Sequence, residues 1–330
     1  MKKVINAPQN VVAEMIQGMT LAFPNHVRKI DSADVIVRTD AKKGKVALIS
    51  GGGSGHEPSH AGFVGYGMLD AGVCGPVFTS PTPDAVFEAI KAVKTDAGVL
   101  LIIKNYTGDV MNFEMAMEMA EAEGIKVDKV VIDDDVAVQN STYTVGRRGI
   151  AGTVLVHKIA GAKAETGASL AEVKAVAEKV IANVRSMGMA LTPCIIPEAG
   201  KPGFTLGDNE MEVGLGIHGE PGVKREEIKP ADEIVDELTG KILADMPLAA
   251  GEEVALLING LGSTPLMELF IVNKKVNEIL TSKGIKIYKT CVGEYMTAIE
   301  MAGFSISVLK LDAELKGLLD AKADTPAYKV

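Results

Sequence analysis

The sequence is poor in several residue types, and each shortage narrows the field. Its 330 residues include no Trp, only 3 Cys and only 5 His, and 34 Lys+Arg face 43 Asp+Glu for a formal net charge of −9. That acidic balance argues against a nucleic-acid binder, whose surface would be basic. The longest apolar runs, Val99–Ile103 and Val254–Ile258, are far too short to span a membrane. The first ten residues carry Lys2 and Lys3 but no apolar stretch behind them, so they do not read as a signal peptide. Cys74, Cys194 and Cys291 are odd in number and widely spaced, which fits a reduced, cytoplasmic protein with neither a disulfide framework nor a cysteine-based zinc site. What is present in quantity is apolar: 47% of the residues are hydrophobic, which excludes a disordered chain. The length suits one large or two medium domains. With so few histidines, the two that sit in glycine-rich segments stand out.

The pattern along the chain is mixed α/β. Val35–Arg38 and Lys45–Ser50 read as strands, and Ser50 runs into Gly51-Gly-Gly-Ser-Gly-His-Glu-Pro58, read as a loop. Thr82 is placed to cap a helix that has Pro83 at its first position and Val86, Phe87, Ile90 and Val93 on one face. Gly98–Ile103 is an apolar strand run, followed by Lys104-Asn-Tyr-Thr-Gly-Asp109 and a helix to about Ala122. The methionines at 111, 115 and 119 on that helix read as core packing. Val127–Ile132 is the next strand, and Asn140–Gly149 reads as a polar loop. Ser169 and Glu172 form a capping box opening a helix to about Ser186, and Met189–Ile196 reads as a strand. Pro197–Pro202 is the most linker-like stretch, and the expected domains are 1–185 and 186–330. In the second half, Glu210–Ile217 alternates, and one further step would put His218 on a face lined by Gly214 and Gly216. A helix near 231–244 and strands near 253–258, 285–292 and 306–311 complete the pattern. Alternating strands and helices place ligand loops at strand C-termini, where both His56 and Asp109 fall.

Consecutive glycines let backbone N–H groups approach an oxygen-rich ligand closely. The segment from Gly51 lacks the Gly-Lys-Ser/Thr ending of a phosphate loop and the spacing of a dinucleotide fingerprint. His56 at its end is an acid/base candidate. Asp109 can accept a proton from a hydroxyl, although an N-cap is the plainer reading on spacing alone. His218 is the second site: a neutral imidazole nitrogen is a nucleophile that adds to carbonyls, and Glu220 is placed to orient it. Asp133–Asp135 reads as a solvated or capping acidic loop and Arg147-Arg148 as an exposed pair. His26, His60 and His157 lack comparable context, with His60 a minor candidate for supporting the glycine segment.

Together, Gly51–Pro58, Lys104–Asp109 and Gly216-Ile-His-Gly-Glu-Pro-Gly222 resemble the K subunit family of dihydroxyacetone kinases. The resemblance extends over essentially the whole chain, through Phe78-Thr-Ser-Pro-Thr-Pro83, Gly149-Ile-Ala-Gly-Thr153 and Asn259-Gly-Leu-Gly-Ser-Thr-Pro265. It implies two α/β domains with mixed, largely parallel sheets flanked by helices, similar also to DegV-like proteins. It implies that His218 adds through Nε2 to the ketone carbon of dihydroxyacetone, giving a hemiaminal. It further implies that Gly53, Ser54, Gly55, His56, Lys104 and Asp109 line the pocket, with His56 and Asp109 as acid/base groups for the substrate hydroxyls. Glycerol, lacking a carbonyl, would be rejected.

No metal or cofactor is expected on this chain. The resemblance implies that ADP/ATP and Mg²⁺ sit on a separate L subunit, recharged by a phosphoenolpyruvate-fed M subunit, and that the K subunit is a homodimer. A dihydroxyacetone-binding paralogue serving as coactivator of a transcription regulator would keep the same histidine. Retention of His56 and Asp109 favours the enzyme, because a sensor needs binding but no proton transfer. A lipid-binding protein of similar fold is disfavoured by the polar His56, Lys104 and Asp109.

Overall fold

The computed structural model describes residues 2–40, 43–139, 144–220 and 222–330. Residues 140–143 of the expected polar loop and Pro221 of the His218 motif therefore lie outside the described residues. The first half contains α1 (Val11–Ala22), β1 (Val27–Lys29), β2 (Val35–Arg38), β3 (Ala47–Ser54), β4 (Ala71–Val77), α2 (Pro83–Val93), β5 (Val99–Lys104), α3 (Thr107–Ala122), β6 (Val127–Ile132), α4 (Thr153–Glu165) and α5 (Leu170–Asn183). The second contains β7 (Val184–Ala190), β8 (Glu210–Val213), β9 (Lys224–Glu227), α6 (Ala231–Asp245), β10 (Glu253–Gly260), α7 (Leu266–Ser282), β11 (Lys286–Gly293), β12 (Gly303–Leu311) and α8 (Ala313–Asp320).

Among the described residues the strands form two six-stranded sheets, β1-β2-β4-β3-β5-β6 and β11-β10-β12-β7-β8-β9. In the first sheet β4, β3, β5 and β6 run parallel, and β1 and β2 add an antiparallel edge. The second is mainly antiparallel, with β10–β11 its parallel pair, because its βαβ crossover runs through α7 while β12 returns directly beside β10.

Strand alternation sorts the apolar side chains into layers. Ala47, Ile49, Val99, Leu101 and Ile103 pack with Val86, Phe87 and Ile90 of α2 and Phe113, Ala116 and Ala120 of α3. Leu48, Leu100 and Ile102 point the other way, onto Leu155 and Ile159 of α4 and Val173 and Val180 of α5, in a cluster that also takes Ala255 and Leu257 of β10. Val254, Leu256 and Ile258 face Val235, Leu238, Val272 and Val276 of α6 and α7. Helices α4 and α5 thus form a layer shared by both sheets, and α4 is buried almost all round. Thr82 accepts from the Ala85 N–H, and Ser169 and Glu172 form the expected capping box.

Several expectations are corrected. The glycines at 51–53 belong to β3 itself, which runs to Ser54, because their missing side chains let the strand lie hard against β4: a Cβ on Gly51 would sit 2.6 Å from the Val73 carbonyl oxygen. The alternating segment stops being a strand at Val213, where Gly214 turns with φ +73°, so His218 lies in a turn rather than on a strand face. Strand β7 ends at Ala190, α5 ends at Asn183, and Pro197–Pro202 falls in the connection between β7 and β8, both strands of the second sheet. Met111 and Met115 are 56% and 51% exposed, because the core face of α3 is Phe113, Ala116 and Ala120.

Candidate active site

Strand β3 lies between β4 and β5, and the chain leaves it first toward one neighbour and later returns on the other side. The crevice at the C-terminal ends of β3 and β5 is thus a topological switch point. Each strand delivers chemistry there: β3 leads to His56, β5 ends in Lys104, and the first turn of α3 carries Asp109. The turn after β8 brings His218 and Glu220 from the second half of the chain.

Lys104 is completely buried, and its Nζ donates to Asp109 Oδ2 at 3.1 Å and to the Gly51 carbonyl at 3.3 Å. Asp109 does not cap α3; the residue in that position is Tyr106, and Asp109 lies on the same buried face as Phe113. Gly52 is what makes room for the lysine, since a Cβ there would lie 2.4 Å from Lys104 Nζ.

His56, also completely buried, has Nδ1 2.7 Å from the Thr297 carbonyl and Nε2 3.0 Å from Nε2 of His218. His218 Nδ1 lies 3.2 Å from Glu220 Oε1, and the His218 backbone N–H donates to Glu220 Oε2 at 2.8 Å. Gly216 makes space for that carboxylate rather than for the imidazole: a Cβ on it would meet Glu220 Oε2 at 2.3 Å. The hydrogen positions follow from the partners. Both Nδ1 atoms face acceptors and so carry hydrogen. The two Nε2 atoms then present lone pairs to each other, and one proton between them makes the contact attractive. Burial, then the neighbouring His218 and Lys104 charges, hold His56 well below the usual histidine range. Burial alone would raise Glu220, but the His218 imidazole, its hydrogen bond and Arg148 bring it down to about 2. The arrangement is a carboxylate orienting one imidazole, whose far nitrogen meets a second imidazole that resists charging.

Two aromatic rings wall the pair. Phe78 stacks on His56 with centroids 5.0 Å apart, and Tyr106 meets His218 edge-on at 4.6 Å. Phe78 has φ +54°, a conformation uncommon outside glycine. Gly53, Phe78, Thr79, Ser80, Tyr106, Asp109 and His218 line an open cleft of about 720 Å³.

Of the residues singled out in the sequence, Gly53, His56, Lys104, Asp109 and His218 are thus brought together. Ser54 donates its hydroxyl to the Gly75 carbonyl at 2.7 Å, and Ser54 and Gly55 line a different, smaller hollow with Met15, Val77 and Ile299. His60 supports the glycine strand from behind: its Nδ1 lies 3.3 Å from Ser50 Oγ, and its ring packs against His157. His26 lies apart, near Asp324. In the acidic loop Asp133 is exposed, as expected of a solvated segment, while Asp134 and Asp135 are not. Asp134 is buried and accepts from the Ile150 and Gly152 N–H groups at 2.8 Å, and Asp135 is buried against Arg148. The arginine pair is not exposed as a unit either, since Arg148 is fully buried and Arg147 pairs with Asp245. Phe78, Tyr106 and Arg148 were not identified from the sequence. Phe78 and Tyr106 do lie inside quoted motifs, which is the signal available for them. Among the described residues no cluster of three His, Cys, Asp or Glu is arranged to hold a metal ion, and no helix is long and apolar enough to cross a membrane.

Residues 17–327 match the Dak1 domain. The chain is 55% identical over 329 residues to a PTS-dependent dihydroxyacetone kinase 1, dihydroxyacetone-binding subunit DhaK, of Listeria innocua, covering 99% of this chain and 100% of that relative. Among solved structures, the dihydroxyacetone kinase of C. freundii superposes with a TM-score of 0.92 at 38% identity, covering 99% of this chain. This chain spans 60% of the length of that kinase. A dihydroxyacetone kinase operon co-activator superposes with a TM-score of 0.89 at 36% identity, covering 95% of this chain and 96% of that one.

Proposed function

The chain belongs to the Dak1 domain family of dihydroxyacetone kinases, and from that premise we propose that it is the dihydroxyacetone-binding subunit of a phosphoenolpyruvate-dependent dihydroxyacetone kinase. The observation that carries the mechanism is the Glu220–His218–His56 line, with one Nε2 facing the other across 3.0 Å beside the Lys104–Asp109 pair. His218 Nε2 attacks the ketone carbon of dihydroxyacetone and a C–N bond forms. The carbonyl π pair moves to oxygen, which takes the proton held between the two Nε2 atoms. The alkylated His218 ring keeps its Nδ1 hydrogen, and the Glu220 carboxylate offsets its positive charge. His56, having released the shared proton, is again an acceptor. A terminal hydroxyl of the tethered substrate then gives its proton to Asp109 or His56 as its oxygen attacks the phosphoryl donor. The Gly53 backbone and the Lys104 ammonium position the substrate oxygens; the Ser54 hydroxyl is already engaged with Gly75 and the Gly55 N–H with Glu57. Tethering turns the phosphoryl acceptor into part of a fixed constellation, where most of the advantage in phosphoryl transfer lies.

The donor is a nucleotide with Mg²⁺ on a separate L subunit, recharged by the M subunit, and the chain works as a cytoplasmic homodimer. What supports a donor on another subunit is the likeness to the Listeria relative, described as the dihydroxyacetone-binding subunit of a PTS-dependent kinase. The second reading, a coactivator that binds dihydroxyacetone, draws on the likeness to the operon co-activator. Reconstitution with L and M subunits and phosphoenolpyruvate separates the two. Formation of dihydroxyacetone phosphate dependent on all three proteins is expected. Absence of product, with binding intact, would favour the coactivator.

A further inference from the structure

Among the described residues, Phe78 and Ile299 are the two non-glycine residues in the left-handed backbone region, at φ +54° and +57°. Bulky and β-branched side chains are strained there, where a glycine would not be. Such strain persists only where the surroundings over-determine it, and it gathers at functional sites. Both residues close on one glycine: a Cβ on Gly55 would lie 2.8 Å from Phe78 Cε1 and 3.1 Å from Ile299 Cγ1. Backbone bonds tie the same spot, since the Ile299 N–H donates to the Gly55 carbonyl at 2.7 Å and the Phe78 N–H to the Ser54 carbonyl at 2.9 Å. Gly53 clears the other side of Phe78, for a Cβ on it would sit 2.7 Å from Phe78 Cα. The ring seated by these two glycines lies flat on His56, with planes 17° and centroids 5.0 Å apart, and meets His218 edge-on at 5.3 Å.

Two contacts hold the His56 ring by its nitrogens, Nδ1 to the Thr297 carbonyl and Nε2 to Nε2 of His218. In the proposed mechanism the second is lost when His218 Nε2 takes the ketone carbon. A single hydrogen bond leaves a planar ring free to rock about it, and Nε2 is the end that swings. We propose that Phe78 is a positioning residue for His56: its ring, held flat on the imidazole from a strained backbone position, keeps Nε2 turned toward the substrate-bearing end of His218 after the covalent bond has formed. The proposal rests on the covalent reading of His218. Phe78 also packs with Phe204 and Ile299 against a small apolar cluster. An aliphatic side chain would serve that packing as well. What an aromatic ring adds is a flat face matched to the imidazole, and the attraction of stacked rings depends on that geometry.

The test separates adduct formation from turnover. Phe78→Leu and Phe78→Tyr are compared with wild type for the adduct, by intact mass or by NMR of carbonyl-labelled dihydroxyacetone, and for turnover with L and M subunits and phosphoenolpyruvate. Phe78→Leu should form the adduct about as well as wild type yet turn over about ten-fold slower or more, the scale of one lost aromatic contact. Phe78→Tyr, which keeps the flat face, should restore most of the turnover. A measurement on the wild-type chain stands independently of how any Phe78 variant folds. The carbon-bound ring protons of His56, assigned by their absence in His56→Asn, should be shifted upfield by the Phe78 ring in the free chain and remain so in the adduct. Four results would each overturn the proposal: adduct and turnover lowered equally in Phe78→Leu, turnover unchanged in it, Phe78→Tyr no better than Phe78→Leu, or an upfield shift that vanishes when the adduct forms. A wild-type chain forming no adduct would overturn the covalent reading itself, and this proposal with it.

Discussion

At the residue scale, the proposed function rests on histidines held in unequal surroundings. His218 is partly open to the cleft and backed by a carboxylate, whereas His56 is sealed. In the proposed mechanism this inequality separates an anchor from an acid/base group. In the reconstituted system Asp109→Asn and His56→Asn should retain some dihydroxyacetone binding but lose turnover by at least about a hundred-fold, within the range for a removed general acid or base. Full turnover in both variants would remove their proton-transfer roles. The sealed histidines also predict how stability responds to pH. Burial lowers His56, His60 and His157, the last to about 3. Unfolded histidines titrate near pH 6.5 or so, so below that value the unfolded chain binds more protons and stability falls as the pH drops. Each such histidine adds roughly 1.4 kcal/mol per pH unit to the slope until its folded value is reached. Both ring nitrogens of His157 lack a partner among the described residues. His157→Leu should therefore flatten the loss between pH 6.5 and 5 without leaving a buried polar atom unpaired, as chemical denaturation across that range would show. An unchanged slope would contradict the assignment. His56 and His218 were legible in the sequence because glycines surrounded scarce histidines. Arg148 was not, because adjacent arginines in a polar segment resemble a surface pair, and only the fold brings Asp135 and the Gly214 carbonyl around one of them.

At the element scale, the positions of the first-half strands and helices along the chain follow from local patterns, while their order in the sheet and the path of the backbone at the site do not. Apolar strand runs such as Val99–Ile103, the Thr82 cap and the Ser169 box were all readable, because hydrophobic periodicity and capping are local. The extension of β3 through three glycines was not, since its cause is the close approach of β4 and Lys104. The alternation of Glu210–Ile217 misled for a related reason: all four apolar residues are buried, but Met211 and Val213 pack in one cluster while Leu215 and Ile217 enter two others beyond the Gly214 turn. Two glycine variants distinguish the roles along β3. Gly52→Ala would set a methyl 2.4 Å from Lys104 Nζ and 3.4 Å from Asp109 Oδ2. Displacing these groups should cost turnover about a hundred-fold, as a shift on the order of 1 Å can. Gly53→Ala would meet backbone instead, 2.4 Å from the Thr79 nitrogen. It should cost about 1–3 kcal/mol of stability, the usual range for overpacking, in urea unfolding. Wild-type behaviour in both would show that β3 tolerates side chains where the fold leaves no room for them.

At the scale of the whole molecule, the site exists because two sheets share one helical layer. His56 arrives from the first sheet and is tied to Thr297 of the second half, and His218 reaches it from the turn after β8. Neither half holds the proposed nucleophile and the proposed acid/base pair together. This juxtaposition spans more than 160 residues of chain, which is why the motifs were visible one by one while their 3.0 Å meeting was not. The acidic balance of the chain fits a protein that presents a neutral triose and leaves the anionic donor to a partner. With ATP and Mg²⁺ but no L subunit, the chain should not phosphorylate dihydroxyacetone, and appreciable turnover in a coupled assay would place the donor site here instead. The most direct measurement is carbon-13 NMR of the chain with dihydroxyacetone labelled at its carbonyl carbon. The account predicts that the bound label moves from the ketone region to that of a tetrahedral carbon bearing oxygen and nitrogen, and that His218→Ala abolishes the new signal. A bound label that stays in the ketone region, or a tetrahedral signal that survives in His218→Ala, would contradict it.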